Sequence, residues 1–169
     1  SLVLRIDGGM RQLEGLSLVV GLAVMHTLRK VGVAGAGLKW PNDVLVGNKK
    51  IAGILLELVG DPADVCHVVL GIGINVNMQA AEEVDQQWTS VRLESGQVCD
   101  RNALAVQSSE QLQAYIQRHQ DRGFSALQAE WQDGHLWQGR SVSLIAGTNQ
   151  IDGVVLGIDN QGALRLQVD

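Results

Sequence analysis

The sequence predicts an α+β fold: an antiparallel meander of strands accompanied by helices and followed by a small all-β module. Three observations carry this. Three apolar stretches between residues 44 and 76 are joined by connections too short for a crossover helix, so neighbouring strands must run antiparallel. Two longer stretches, Gly15 to Val31 and Arg101 to about Gln120, carry apolar residues at helical spacing. From Arg140 onward the pattern changes to short alternating runs separated by turn residues.

Each element has its own signal. Ser1 to Ile6 reads as a short strand, with Leu2, Val3, Leu4 and Ile6 apolar, and Asp7-Gly8-Gly9 breaks it. In the first helix Leu16, Val20, Ala23, Val24 and Leu28 form one face and Leu18, Leu22 and Met25 a second, so burial on most sides is expected. Arg29 and Lys30 suit the negative end of its dipole, and Gly32 follows as a stop. His26, inside this helix, reads as a satisfied core histidine. Gly32 to Gly37 is a small-residue loop, and Leu38 to Trp40 a strand that Pro41 ends. Val44 to Val46 and Lys49 to Val59 form a hairpin about the two-residue turn Gly47-Asn48. Asp61-Pro62-Ala63-Asp64 turns the chain into a third strand, Val65 to Val76, with His67 at its rim. Asn77 to Val98 is polar and irregular, anchored by Trp88.

Asp100 is a good N-cap for the second helix, whose Leu104, Leu112, Tyr115 and Ile116 share one side and which Gly123 ends. Phe124, Leu127 and Trp131 predict a further short helix ending near Gly134. Strands follow at Arg140 to Ala146, Ile151 to Ile158 and Ala163 to Val168, with turns at Gly147-Thr148-Asn149 and Asp159 to Gly162. Three strands alone are marginally stable, so this module is expected either to be truncated or to pack on the main domain.

Composition narrows the function classes. At 169 residues there is room for one main domain and a small appendage. A net charge of -5 with no basic run argues against nucleic-acid binding. No apolar run reaches membrane-spanning length, and no basic leader precedes an apolar stretch at the start. Cys66 and Cys99 lie far apart and form no metal-type pair; both read as free thiols, which points to a reducing, cytoplasmic location. The chain starts without Met, in what reads as a strand, so a segment of something longer is expected.

The stretch that carries chemistry is Lys39-Trp40-Pro41-Asn42-Asp43, followed by Lys50-Ile51-Ala52-Gly53-Ile54-Leu55 and later by Gly71-Ile72-Gly73-Ile74-Asn75. Charged and amide side chains in so apolar a region are costly unless satisfied or used. Two readings stand side by side. One is a polar turn between strands; the other is an anion-handling pocket with two lysines, an amide and a carboxylate, where glycines allow close backbone approach to a ligand. Common enzyme signatures are absent: no Cys/His metal spacing, no nucleophile elbow, no phosphate-binding Gly-Lys-Ser/Thr loop, and no helix after Gly71-x-Gly73 to make a dinucleotide fingerprint.

These same segments, extended to Glu57 and Asn77, resemble the catalytic domain of biotin protein ligases (biotin–acetyl-CoA-carboxylase ligases). Gly15-Leu16-Ser17-Leu18 and Gly157-Ile158-Asp159-Asn160-Gln161-Gly162-Ala163-Leu164 match too, so the resemblance runs over essentially the whole chain. It implies a mixed, largely antiparallel sheet with helices on one side, of the class II synthetase-like kind, over residues 1–136, then a partial SH3-like β-barrel over 137–169. It also implies a reaction: biotin and MgATP give biotinyl-5′-AMP and pyrophosphate, and the biotinyl group passes to a lysine of the biotin carboxyl carrier protein of acetyl-CoA carboxylase. Lys50 would bridge the biotin carboxylate and the adenylate phosphate, while Lys49 is a solvated hairpin lysine. Gly53 and Leu55 would meet biotin; Gly71, Gly73 and Asn75 would line the pocket, with Asn75 reaching the nucleotide. Asn42 and Asp43 would organise the polar end, Asp43 through Mg²⁺ and the phosphates, or serve as turn caps. Trp40 is core packing or a ligand contact, and Lys39 has no assigned part.

The family's basic glycine loop has no counterpart in this sequence, which implies impaired catalysis by the isolated segment. Two other readings remain: a non-catalytic biotin- or adenylate-responsive module, and a lipoate-type ligase, against which Lys-Trp-Pro-Asn-Asp speaks. An open sheet edge would allow a homodimer.

Overall fold

The fold was analysed in a computed structural model, which describes residues 1–7, 9–61, 65–80 and 85–168. Strand β1 (Leu2–Ile6) and a 3₁₀ turn (Gly9–Gln12) lead into helix α1 (Leu16–Lys30). Strands β2 (Ala36–Lys39), β3 (Asp43–Val46), β4 (Lys49–Gly60) and β5 (Cys66–Ile74) follow. Then come α2 (Val91–Ser95), α3 (Arg101–Arg122), a 3₁₀ turn (Phe124–Ala126) and α4 (Gln128–Gly134). Strands β6 (Ser141–Ala146), β7 (Asn149–Ile158) and β8 (Leu164–Gln167) close the chain.

β2 to β5 form the expected meander, and β1 adds to its far side in the order β1-β5-β4-β3-β2. Every pair of named strands is antiparallel, in line with the largely antiparallel sheet that was expected; among the described residues the parallel component is limited to two single bridges, Leu38 with His135 and Lys50 with Trp88. Its inner face meets α1, which is buried as its two apolar faces require: Val19, Val20, Leu22, Ala23, Val24 and Leu28 have no exposed surface. Fully burying a Leu or Val contributes roughly 1.5–3 kcal/mol, which makes α1 the centre of the core. α3 packs on α1 through Leu112, Tyr115 and Ile116, and Asp100 caps it by accepting from Asn102 N and Ala103 N at 2.8 and 3.2 Å.

Several boundaries differ from expectation. β2 starts at Ala36, two residues early, because Ala36 and Gly37 already pair with Val46 and Leu45 of β3; Gly37 is also small for packing, since a Cβ there would lie 2.5 Å from Leu136 Cγ. Asp43 opens β3 instead of closing a turn, paired with Lys39 and Gly53. β5 stops at Ile74, and Asn75 leaves the ladder to bond Ile51 O and receive Val91 N. The stretch read as irregular holds α2, capped by Ser90 Oγ accepting from Leu93 N at 3.2 Å. α3 runs on to Arg122, the following helix is split by its 3₁₀ turn, and Asn149 belongs to β7. Residues 62–64 of the predicted turn and Gly8 of the first break lie outside the described residues.

His26 is half-buried at a helix junction, not in the core. Its Nε2 lies 3.1 Å from Glu130 Oε1 and its ring stacks on Tyr115. Glu130 also accepts from the Tyr115 hydroxyl and from Arg118. Burial alone would raise the Glu130 carboxyl, but hydrogen bonds from Tyr115 and Arg118 outweigh it and hold it below its ordinary value.

β6-β7-β8 is a separate three-stranded sheet, and it packs on the main body. Ile158 joins the core, Gln128 Nε2 donates to Ile158 O at 2.8 Å, and Trp40 Nε1 donates to Gly162 O at 3.0 Å.

Candidate active site

Alternation along β4 and β5 settles which groups face outward. Ala52, Ile54 and Leu70 point into the core, so Gly53, Leu55, Gly71 and Gly73 lie on the opposite face. Gly53 pairs with Gly73, and Leu55 with Gly71, leaving a patch floored by backbone. Lys50 is three residues from Gly53, an odd step that strict alternation would send inward. A β-bulge prevents this: β3 advances from Val44 to Leu45 while β4 steps from Ala52 to Lys50, so Ile51 is the extra residue and is fully buried. The Lys50 side chain therefore reaches the same face as Gly53.

The Lys50 backbone is held by the chain after β5. Its N–H donates to Gln87 O, and its carbonyl accepts from Thr89 N at 2.9 Å and from Asn75 Nδ2 at 3.3 Å. The Asn75 amide also donates to Thr89 O at 3.0 Å, so it clasps two carbonyls. Lys50 Nζ lies 2.7 Å from Asp43 Oδ1. The second oxygen, Oδ2, faces Lys39 Nζ at 3.7 Å, and Lys39 Nζ sits 4.8 Å from the centre of the Trp137 ring. The Asp43 side chain is only 13% exposed, against 28% for Lys50 and 31% for Lys39. A carboxylate so enclosed is tolerated because it is paired.

Gly53 is needed for space. A Cβ there would lie 3.0 Å from Lys50 Cε and 3.1 Å from Nζ. Gly73 faces open room, the nearest atom to its notional Cβ being Gly53 O at 4.0 Å. Two cavities flank this glycine pair and share Lys50, Gly53 and Gly73. One, of about 390 Å³, adds Asn75, Met78, Gln86 and Trp88. The other, of about 460 Å³, adds Asn42, Leu55 and Gly71. A larger groove of about 720 Å³ between β1, β5 and α3 is floored by the inward-facing Leu70, Ile72 and Ile74 and rimmed by polar side chains of α3, and it contains none of Lys50, Gly53, Gly71, Gly73 or Asn75.

Seven of the predicted residues, Lys50, Gly53, Leu55, Gly71, Gly73, Asn75 and Asn42, thus line one bipartite cleft, with Asp43 against Lys50. Asn42 is tied across to β4 instead of capping its own turn: its Nδ2 donates to Ile54 O at 2.8 Å and its carbonyl accepts from Ile54 N at 2.9 Å. Trp40 lines neither cavity; it packs on the core and reaches Gly162. Lys49 is exposed, as expected. The sequence reading missed Met78, Gln86 and the cleft position of Trp88, whose one signal was a large aromatic in a polar stretch. It also missed Trp137 beside Lys39. Among the described residues, no group of three or more His, Cys, Asp or Glu is placed to hold a metal.

Comparison with known proteins follows this geometry. Residues 1–75 match the model of the biotin/lipoate A/B protein ligase family. The chain is 38% identical to the bifunctional ligase/repressor BirA of Escherichia coli over all of its own length and 53% of the relative's. It is 33% identical to the biotin–[acetyl-CoA-carboxylase] ligase of Paracoccus denitrificans, covering 99% of this chain and 72% of that one. Among solved structures, the biotin protein ligase of Aquifex aeolicus superposes with a TM-score of 0.86 in its apo form, at 27% identity over 99% of this chain and 74% of that one. Its complex with biotin and ATP gives 0.80 at 26% identity over the same shares. The chain spans about half the length of the curated relatives it matches first. Taken with the glycine-floored cleft and its lysine, these likenesses establish that the chain belongs to the biotin–[acetyl-CoA-carboxylase] ligase family.

Proposed function

We propose that the protein activates biotin with ATP and transfers it to a lysine of a biotin carboxyl carrier protein. The observation that carries this reading is the Lys50 ammonium beside a cleft floored by backbone and divided into two lobes. A biotin carboxylate oxygen attacks the α-phosphorus of ATP; an O–P bond forms, and pyrophosphate leaves. The carrier amine then attacks the acyl carbon, forming an amide and releasing AMP, while the amine's proton passes to solvent. The first step forces two anions together, and their repulsion grows as water is excluded. Lys50 offsets it, touching the carboxylate first and the adenylate phosphate afterwards.

Leu55 and the Gly71 side of the cleft suit the apolar body of biotin. The lobe with Met78 and Trp88 suits a flat purine, which stacks on aromatic and thioether surfaces. Asn75 serves by fixing the Lys50 and Thr89 carbonyls at the nucleotide end. Magnesium would arrive with ATP as the companion of its phosphates. A resident ion does not fit the residues present, because both oxygens of Asp43 already face ammonium groups, and no step is assigned to one.

Residues 137–169 are read as part of an SH3-like module and 1–136 as the catalytic domain. A cytoplasmic setting agrees with the free thiols of Cys66 and Cys99. The outer edge of β1, unpaired among the described residues, offers a second copy a place to extend the sheet.

The test is mass spectrometry of a carrier domain incubated with the full-length protein, ATP and biotin. The expected result is a carrier heavier by one biotinyl group, with Lys50→Ala abolishing biotinyl-5′-AMP formation at an unchanged circular dichroism spectrum. No gain in carrier mass, or a full adenylation rate in Lys50→Ala, overturns the reading.

A further inference from the structure

We infer that Lys39 is a positioning residue: it takes over Asp43 so that Lys50 is released to the incoming acid. This rests on the reading of Lys50 as the group that meets the biotin carboxylate. The two oxygens of Asp43 are divided between two cations, Oδ1 to Lys50 at 2.7 Å and Oδ2 to Lys39 at 3.7 Å. Two ammoniums and one carboxylate leave the trio one positive charge in excess, which a single monoanion neutralises. As a carboxylate approaches Lys50 it competes with Asp43 for that ammonium. Asp43 is largely enclosed, and an enclosed carboxylate stripped of its partner is strongly disfavoured. With Lys39 in place, Asp43 keeps a partner when Lys50 turns to the substrate. Without Lys39, Lys50 and Asp43 form a neutral pair that the substrate acid must break.

Lys39 is held for this part. It ends β2, its Nζ is capped by the Trp137 ring at 4.8 Å, and the segment bearing Trp137 is fixed beside β2 by Leu136 N donating to Leu38 O at 2.9 Å. The ammonium of Lys39 is thus held by a residue from the connection between α4 and β6, nearly a hundred positions later in the chain.

The experiment is isothermal titration of the full-length protein with biotin and with biotin methyl ester, which carries no anion. Lys39→Met is expected to weaken biotin binding on the order of tenfold while leaving the ester unchanged. Adding Asp43→Asn to Lys39→Met removes the competing carboxylate and restores biotin binding to near that of the unaltered protein. Lys39→Arg, which keeps the charge, also restores it. If Lys39→Met melts early, Lys39→Gln carries the same comparison. Equal losses for acid and ester, or a loss that Asp43→Asn does not recover, overturn the inference alone. If Lys50→Ala binds biotin as tightly as the unaltered protein, the assignment of Lys50 fails, and the inference with it.

Discussion

At the scale of single residues, the cleft is defined as much by missing side chains as by present ones. Gly53 and Gly73 face each other across β4 and β5, and neither has a positive φ, so alanine is conformationally permitted at both. Their surroundings differ. At Gly53 a methyl group would press on Lys50 Cε and Nζ at 3.0 and 3.1 Å, whereas at Gly73 it would meet nothing nearer than 4.0 Å. Gly53→Ala is therefore expected to displace the ammonium, lowering the adenylation rate even without ligand crowding. Gly73→Ala is expected to fold with its stability changed by no more than about 0.5 kcal/mol, yet to lose biotin or ATP affinity by at least tenfold. Thermal melts alongside titrations separate the two. A Gly73→Ala protein that binds both substrates normally would show that the floor is not a ligand surface.

At the scale of elements, the segment after α4 ties helix and sheet together through a histidine. His135 is 7% exposed, its ring lies 4.7 Å from that of Trp131, and its backbone bridges to Leu38 of β2. Burial pushes its imidazole below the ordinary 6.5. A depressed value means that the unfolded chain takes up a proton more readily than the folded one. The associated stability is complete above the ordinary value and is lost as pH falls through the folded one. The melting temperature is thus expected to drop as the pH is taken below about 6.5, and to drop less in His135→Phe, which keeps an aromatic ring against Trp131. Glu130, also held below its ordinary 4.5, contributes its own loss only in more acidic solution. Identical pH profiles for the two proteins would remove His135 as the cause.

At the scale of the whole molecule, what the sequence discloses depends on whether the deciding contact is local. The Asp100 cap, the period of α1 and the Gly47-Asn48 turn are local, and each lies where its residues predict. The addition of β1 beside β5 depends on residues sixty or more positions apart and leaves no sequence mark. Lys39-Trp40-Pro41-Asn42-Asp43 and Lys50 to Leu55 were legible as a unit because their spacing is that of one hairpin. The bulge that turns Lys50 outward was not, since Ile51 is unremarkable as a residue and extra only by register. Trp88 and Trp137 reach the cleft or its border from distant segments, so no window of sequence around the motif could include them. The connection from Trp40 to Gly162 likewise joins the motif to the C-terminal sheet across 122 positions.

The facing glycines have a further consequence for motion. Cross-strand side-chain pairs contribute about 0.2–1 kcal/mol each, and Gly53 opposite Gly73 contributes none. The ladder between β4 and β5 is thus weakest beneath the cleft and stronger toward Leu56 and Leu70, where apolar side chains oppose each other. Deuterium should enter the amides around Gly53 and Gly73 before those at Leu56 to Leu58, and bound biotin should slow it there first. Uniform exchange along β4 would refute this. Faster exchange at Gly53 and Gly73 would make the floor of the cleft the part of the sheet that breathes, and substrate the brace that stills it.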